Sequence, residues 1–252
     1  MGNHIFTLIS GMAGSKQGWK EAPYCPCPAG FDEVAAALTW IEPHRIAIVP
    51  GLSCEHAHAP DVMRGEEIQI FGAMRVTGLR DGLFVLPGTH SKWAQVRDGR
   101  ITTFKTYMTG EFYALLSQHS ILAKSMLADA DAPFDADAFA QGVTVAQAGA
   151  GLLHTAFSAR ALSLFSRLSA TALPSYLSGL VIGEELRLQI PGASTVEPAA
   201  GSDVVLIGSS ALTAHYSQAL ALHGVRSRSL GSEATWAGLH ALAGSVRVSP
   251  AS

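Results

Sequence analysis

The chain has 252 residues, with 17 Lys and Arg against 20 Asp and Glu and a formal charge of −3. That length predicts one large domain or two small ones with ample core. A composition 48% hydrophobic and 15% charged excludes a disordered chain, and the lack of any Lys/Arg stripe excludes nucleic acid as an expected partner.

The opening "MGNHIFTLISGMAG" lacks the basic n-region and long apolar h-region of a signal peptide. Phe6 stands where a myristoylation motif needs Ser or Thr. No 18-residue apolar run occurs, so no membrane span or membrane partner is expected, and the cytoplasm is the simplest location. Residues 5–9 predict a strand entering a Gly-rich loop, "SGMAGSKQG".

"PYCPCPAG" carries three prolines and reads as an ordered extended segment. Cys25, Cys27 and Cys54 are odd in number, and the first two are too close for an ordinary bridge. That argues against a secreted disulfide framework, and Cys25-Pro-Cys27 lacks the two-residue spacer of a redox motif. Helical spacing covers residues 31–40, with Asp32 as its cap and Glu42-Pro43 as its stop. "RIAIVPGL" reads as a buried strand closed by Pro-Gly.

"CEHAHAPD" puts His56 and His58 two apart in a loop. No second Cys/His pair lies at zinc spacing, so the better reading is exposed histidines, and no metal-ligating side chains are assigned. A hydrolase using Cys54 or Ser53 with His56 is a remote alternative, because "GLSCE" is not G-x-S-x-G.

"MRGEEIQIFGAMRVTGL" predicts a helix from Glu66 to about Val76, opened by Arg64, Gly65 and two carboxylates. Adjacent helical residues point about 100° apart, so only one of Glu66 and Glu67 can face a site. A carboxylate there could take a proton from a substrate hydroxyl. It could equally be a glutamate favoured by the helix dipole. A weak boundary falls at residues 74–82.

"GLFVLPG" and "KWAQVRDGRITTFKTYM" predict successive strands with Asp98-Gly99 as a hairpin turn. Between them, "VLPGTHSKW" releases Gly88, Thr89, His90, Ser91 and Lys92 at a bend. Freed backbone N–H groups, hydroxyls and a cation are what a phosphate needs, and an ordinary turn is the plain alternative. Helices are expected over 109–127, within "DADAPFDADAFAQGV", over "GLLHTAFSARALSLFSRL" and over "SYLSGLVIGEELRLQI". "DVVLIGSS" is a buried strand ending in Gly208-Ser209-Ser210, followed at once by a helix. Ligands in α/β sheets sit at such carboxyl ends, though an ordinary Ser-capped turn looks the same. A strand near 225–230 and a helix over 233–243 complete an α/β chain with a mixed sheet.

"ISGMAGSKQGWKEAPY", "MRGEEIQIFGA", "LPGTHSKW", "TYMTGEFYALLSQHSIL" and "VLIGSSALTAHYSQAL" occur in that order. Together they closely resemble the 2-dehydro-3-deoxygalactonokinase family, sugar kinases of the actin-like ATPase superfamily. The resemblance implies a ribonuclease H-like two-lobed fold, with residues 1–76 in a sugar-binding lobe and 77–252 in a nucleotide-binding lobe. It implies ATP-dependent phosphorylation of the 6-hydroxyl of 2-dehydro-3-deoxy-D-galactonate, with Mg²⁺. It places Ser15, Lys16, Trp19 and Arg64 at the sugar acid, and Glu66 as the base with Glu67 as runner-up. It places Gly88 to Lys92, Gly183 with Glu184, and Gly208 to Ser210 at the nucleotide.

Such kinases open with a D-x-G-T-T-N phosphate segment, which is not found here. The expectation is an incomplete N-terminal lobe with exposed strand edges, hence a homo-oligomer. A truncated, non-catalytic nucleotide- or sugar-acid-binding relative is the alternative reading.

Overall fold

The computed structural model describes residues 6–126, 133–190 and 203–246. Its N-terminal part holds two small sheets. β1 (Thr7–Ile9), β3 (Thr39–Glu42) and β4 (Ile46–Ile48) pair in the order β1-β4-β3. β2 (Tyr24–Pro26), β5 (Gly51–Glu55) and β6 (Pro60–Met63) pair in the order β2-β5-β6. The residues after Pro50 therefore leave one sheet and enter the other, and Cys54 and Glu55 lie on a strand instead of in a loop.

Helix α1 (Phe31–Ala36) is shorter than its periodicity predicts. Trp40 pairs opposite Ala47 in β4 and packs on Phe6, with ring centroids 5.6 Å apart. Sheet pairing thus overrides a local helical pattern. The cap also differs from expectation: the Gly30 N–H donates to Glu33 Oε2 at 2.8 Å, and Asp32 takes no part.

Helix α2 (Glu66–Thr77) forms where predicted and ends at Gly78, whose φ of 73° is the left-handed cap that glycine favours. It lies on a five-stranded sheet ordered β11-β10-β7-β8-β9. β7 (Gly82–Leu86), β8 (Ser91–Arg97) and β9 (Arg100–Tyr107) form an antiparallel meander. β10 (Val204–Ile207) runs parallel to β7 and to β11 (Ser227–Leu230). Asp98 and Gly99 have φ of 51° and 76°, as a two-residue hairpin turn requires.

Period-two alternation splits this sheet between two cores. Phe84, Leu86, Ala94, Val96, Val205 and Ile207 face α2 and the last helix, α9 (Glu233–Ser245). Val85, Trp93, Val204 and Leu206 face the other way. They pack on helices that include α4 (Ala136–Gln147), α7 (Leu173–Gln189) and α8 (Ser210–Leu222). The first core joins Cys25 to Leu242, so it spans the weak boundary read near residues 74–82.

The helix over 109–127 stops early, as α3 (Thr109–His119), because Ser120 turns to cap a short 3-10 segment through Leu122 N–H. The single helix read over "GLLHTAFSARALSLFSRL" is broken into α5 (Leu152–Thr155) and α6 (Ser158–Leu164). Ser158 Oγ bonds the Thr155 carbonyl and the Tyr176 hydroxyl at the break.

Candidate active site

The strand β8 begins with two buried polar residues that point to opposite faces of the sheet. This splits the "GTHSK" loop between two sites. Ser91 is fully buried and donates to Glu185 Oε1 at 2.7 Å, on the α7 side. Lys92 turns to the other face, where its Nζ donates to the Val62 carbonyl at 2.8 Å and to Thr106 Oγ1 at 2.7 Å. Burial lowers the Lys92 pKa, while the facing carboxylates of Glu66 and Asp61 hold it up. Asp61 is itself occupied, accepting from Thr106 N–H and Thr106 Oγ1.

On the Lys92 side lie the residues read as sugar-facing. Gly65, with φ of 106°, starts α2 against Gly11: a Cβ there would stand 3.3 Å from the Gly11 Cα. The Arg64 guanidinium lies over the Tyr24 ring, 4.3 Å from its centroid, and donates through Nη2 to the Ala22 carbonyl. Its Nε and Nη1 have no hydrogen-bond partner among the described residues. A Cβ on Gly14 would come within 2.8 Å of Nη1, so the 11–15 turn and Arg64 are in direct contact. Ser15 is half-buried beside them, and Lys16 and Trp19 are exposed on the same loop.

The two glutamates of α2 take different environments. Glu66 is partly exposed and accepts from the Arg64 N–H at 2.9 Å. Glu67 is wholly buried; its Oε2 accepts from the Gly65 N–H at 2.7 Å, and its Oε1 has no partner among the described residues. Burial pushes the Glu67 carboxyl up to about 8, against the pull of its backbone hydrogen bonds.

On the opposite face of the sheet is a cavity of about 810 Å³, in the size range of small-molecule sites. Pro87, Gly88 and Thr89 line it from the end of β7, Thr109, Gly110 and Tyr113 from α3, and Ser209, Leu212, His215 and Tyr216 from α8. The cavity thus sits at the carboxyl ends of adjacent parallel strands β7 and β10, where α/β sheets place ligands. Gly88 and Gly110 touch closely: a Cβ on Gly110 would stand 2.5 Å from the Gly88 carbonyl oxygen. The Glu111 N–H then holds the Thr89 carbonyl at 3.1 Å. His90 is exposed and paired with Glu111 at 2.6 Å.

Of the residues read as nucleotide-binding, Gly88, Thr89 and Ser209 line this cavity. Gly208 and Ser210 flank Ser209, but neither is part of the lining. Gly183 lies in the contact between α4 and α7, where a Cβ would stand 2.9 Å from Ala146 Cβ. Its small size serves helix packing. Its neighbour Glu184 pairs with Arg187 at 2.6 Å. The hydrolase idea has no geometry behind it. Cys54 Sγ bonds Thr103 Oγ1 at 3.2 Å, and His56 Nε2 bonds the Phe104 carbonyl at 2.8 Å. Among the described residues no group of three or more His, Cys, Asp or Glu side chains is placed to hold a metal ion.

Sequence reading passed over Glu185, which is 2% exposed. The signal was available: a charged residue stands on the face of an apolar helix where Ile182 and Leu186 point into the core.

A family model for 2-keto-3-deoxy-galactonokinase matches residues 2–242. The chain belongs to that family. A Rhizobium meliloti (strain 1021) protein named a probable 2-dehydro-3-deoxygalactonokinase is 38% identical over 248 residues, covering 96% of this chain and 79% of that protein. The Escherichia coli (strain K12) protein named 2-dehydro-3-deoxygalactonokinase is 35% identical over 241 residues, covering 95% and 78%. A crystal structure assigned as a 2-dehydro-3-deoxygalactonokinase from Sinorhizobium meliloti superposes with a TM-score of 0.87 at 38% identity, over 97% of this chain and 81% of that one.

Proposed function

We propose that this galactonokinase-family chain transfers the γ-phosphoryl group of ATP to the 6-hydroxyl of 2-dehydro-3-deoxy-D-galactonate. The observation that carries the reading is the family match over residues 2–242, joined to a polar loop that divides two sites. In this reading the fold is an actin-like, ribonuclease H-like sugar kinase of two lobes. A meander extended by two parallel strands, with helices on both faces, supports it. Residues 1–76 form the sugar-binding lobe and 77–252 the nucleotide-binding lobe, with α2 of the first packed on the large sheet of the second.

Phosphoryl transfer asks a protein mainly for positioning and charge neutralisation. Gly88, Thr89 and Ser209 offer backbone and hydroxyl donors to the phosphates, flanked by His90, Gly208 and Ser210. Lys92 faces the acceptor side, where its cation meets the transferred group's charge. Arg64 brings a cation whose Nε and Nη1 have no partner among the described residues to face the sugar-acid carboxylate, and Ser15, Lys16 and Trp19 complete the wall. Glu66 is the base: it is partly exposed, whereas the buried Glu67 cannot reach a bound hydroxyl.

Mg²⁺ keeps several waters and takes one or two carboxylates beside substrate phosphates. With Glu66 kept as the base and the Asp61 oxygens taken by Thr106, the ion would be held mainly by the nucleotide phosphates and its waters. Bound there, the ion would neutralise charge on the nucleotide. The enzyme acts in the cytoplasm, without nucleic acid or membrane partners; no helix among the described residues is long and apolar enough to cross a membrane. Self-association belongs to the same reading, and a monomer in sedimentation would remove it.

The direct test couples ADP release to an indicator reaction with the purified chain, the keto-deoxy acid, ATP and Mg²⁺. Acid-dependent ADP release is expected. No turnover, together with nucleotide-dependent thermal stabilisation, would instead identify a non-catalytic binding relative.

A further inference from the structure

Glu185 lies on α7 beneath the large cavity, outside its lining, and is 2% exposed. Its Oε1 accepts from Ser91 Oγ at 2.7 Å and from Trp93 Nε1. Its Oε2 accepts from Tyr216 Oη at 2.7 Å and from Thr109 Oγ1. Four donors from β8, α3 and α8 therefore meet one carboxyl group on α7. A carboxylate has about four acceptor sites, so the ionised form is saturated.

A buried charge is a poor stability device. Taking the charge out of water is costly, and well-packed apolar replacements are often as stable. The arrangement makes sense as a device for position. Thr109 and Tyr216 line the cavity themselves, and Ser91 ends the loop that carries Gly88 and Thr89. From Thr109 the constraint passes along the chain: Gly110 abuts the Gly88 carbonyl, and the Glu111 N–H holds the Thr89 carbonyl.

We propose that Glu185 is a positioning residue for nucleotide, fixing the Gly88–Thr89 loop and the start of α3 through Thr109, Ser91, Trp93 and Tyr216. The inference rests on reading the cavity as the nucleotide site. It also changes the role of Ser91, which acts through Glu185 and not on phosphate.

The test is steady-state kinetics of Glu185→Gln, which keeps the volume and replaces one acceptor by a donor. The KM for ATP is expected to rise about tenfold or more, as for a reacting group displaced by a fraction of an ångström. The KM for the keto-deoxy acid should stay within about twofold, since the Glu185 network touches none of Arg64, Ser15, Lys16 and Trp19. Glu185→Asp, which restores the charge, should recover part of the loss. Ser91→Ala, at a residue that cannot touch nucleotide, should shift the ATP KM in the same direction. Its effect should largely vanish in the Glu185→Gln background. If Glu185→Gln does not fold, Ser91→Ala decides alone.

An unchanged ATP KM in a folded Glu185→Gln protein, or equal changes in both KM values, overturns the inference. Thr89→Ala in the same assay separates the two readings. If it weakens ATP while Glu185→Gln does not, only the role of Glu185 falls. If neither does, the cavity is not the nucleotide site.

Discussion

Glu66 and Glu67 are neighbours in sequence with opposite fates, and each makes a prediction. Glu66 sits where Arg64 N–H and the Lys92 cation hold a partly exposed carboxylate. Glu66→Gln should lower kcat about 10²–10⁴-fold while ATP still raises the melting temperature. Loss of nucleotide binding, or full activity, would count against Glu66 as base. Glu67 is buried, and its carboxyl stays neutral to about 8 in the fold, against 4.5 for a free side chain. Between those values the folded chain holds a proton that the unfolded chain has released. Stability from this group is therefore full below the unfolded value and falls as pH rises through about 8. Glu67→Gln carries no such slope. Its melting temperature should drop less than the parent's between about pH 5 and about pH 8.5, each kcal/mol counting for about 2–4 °C. Parallel curves would show that Glu67 does not titrate in this window.

At the scale of elements, close contacts between α2 and α9 hold one face of the large sheet. A Cβ on Gly72 of α2 would stand 1.6 Å from the Ala234 carbonyl of α9, and one on Gly238 of α9 would stand 2.0 Å from the Ile68 carbonyl. Both clashes are with backbone, so a side-chain adjustment cannot relieve them. Gly72→Ala should separate α2 from α9 and cost about 1–3 kcal/mol or more, read as a lower denaturant midpoint. The same change at Gly78, whose Cβ would meet nothing within 4 Å, costs only its left-handed backbone strain. Equal stability of Gly72→Ala and the parent would show that this contact is loose. Because α2 carries Glu66, the displaced helix should also lose activity.

For the whole molecule, the arrangement predicts linkage between ligand and stability. The cavity joins β7, α3 and α8 with the Glu185 network beneath, so nucleotide bound there ties together elements far apart in sequence. ATP at about 100 times its Kd should add about 2.7 kcal/mol to the unfolding free energy. Thr89→Ala should shrink that stabilisation while the unliganded melting temperature stays nearly constant, since Thr89 is exposed. Scanning calorimetry with and without ATP reads both values. An undiminished ATP shift in Thr89→Ala would remove this loop from the phosphate site.

The sequence by itself determined what local rules control. Strands and turns were legible where alternation is strong, as in β7 to β9 with Asp98-Gly99, and α2 was legible from its glycine-rich flanks and apolar run. The turns around Gly14, Gly88 and Ser209 were legible because glycine and hydroxyl residues follow apolar strands. Tertiary structure alone decided which way those side chains face. Ser91 and Lys92 look like one cluster in sequence, yet the two-residue period of a strand sends them to opposite sides of the sheet. Trp40 left its helical pattern because β4 offered a pairing partner. A charge on an apolar helix face marked Glu185 as unusual, but its four donors were not legible because they lie between 31 and 94 positions away. Only folding brings them within hydrogen-bond reach, and only burial makes that contact strong.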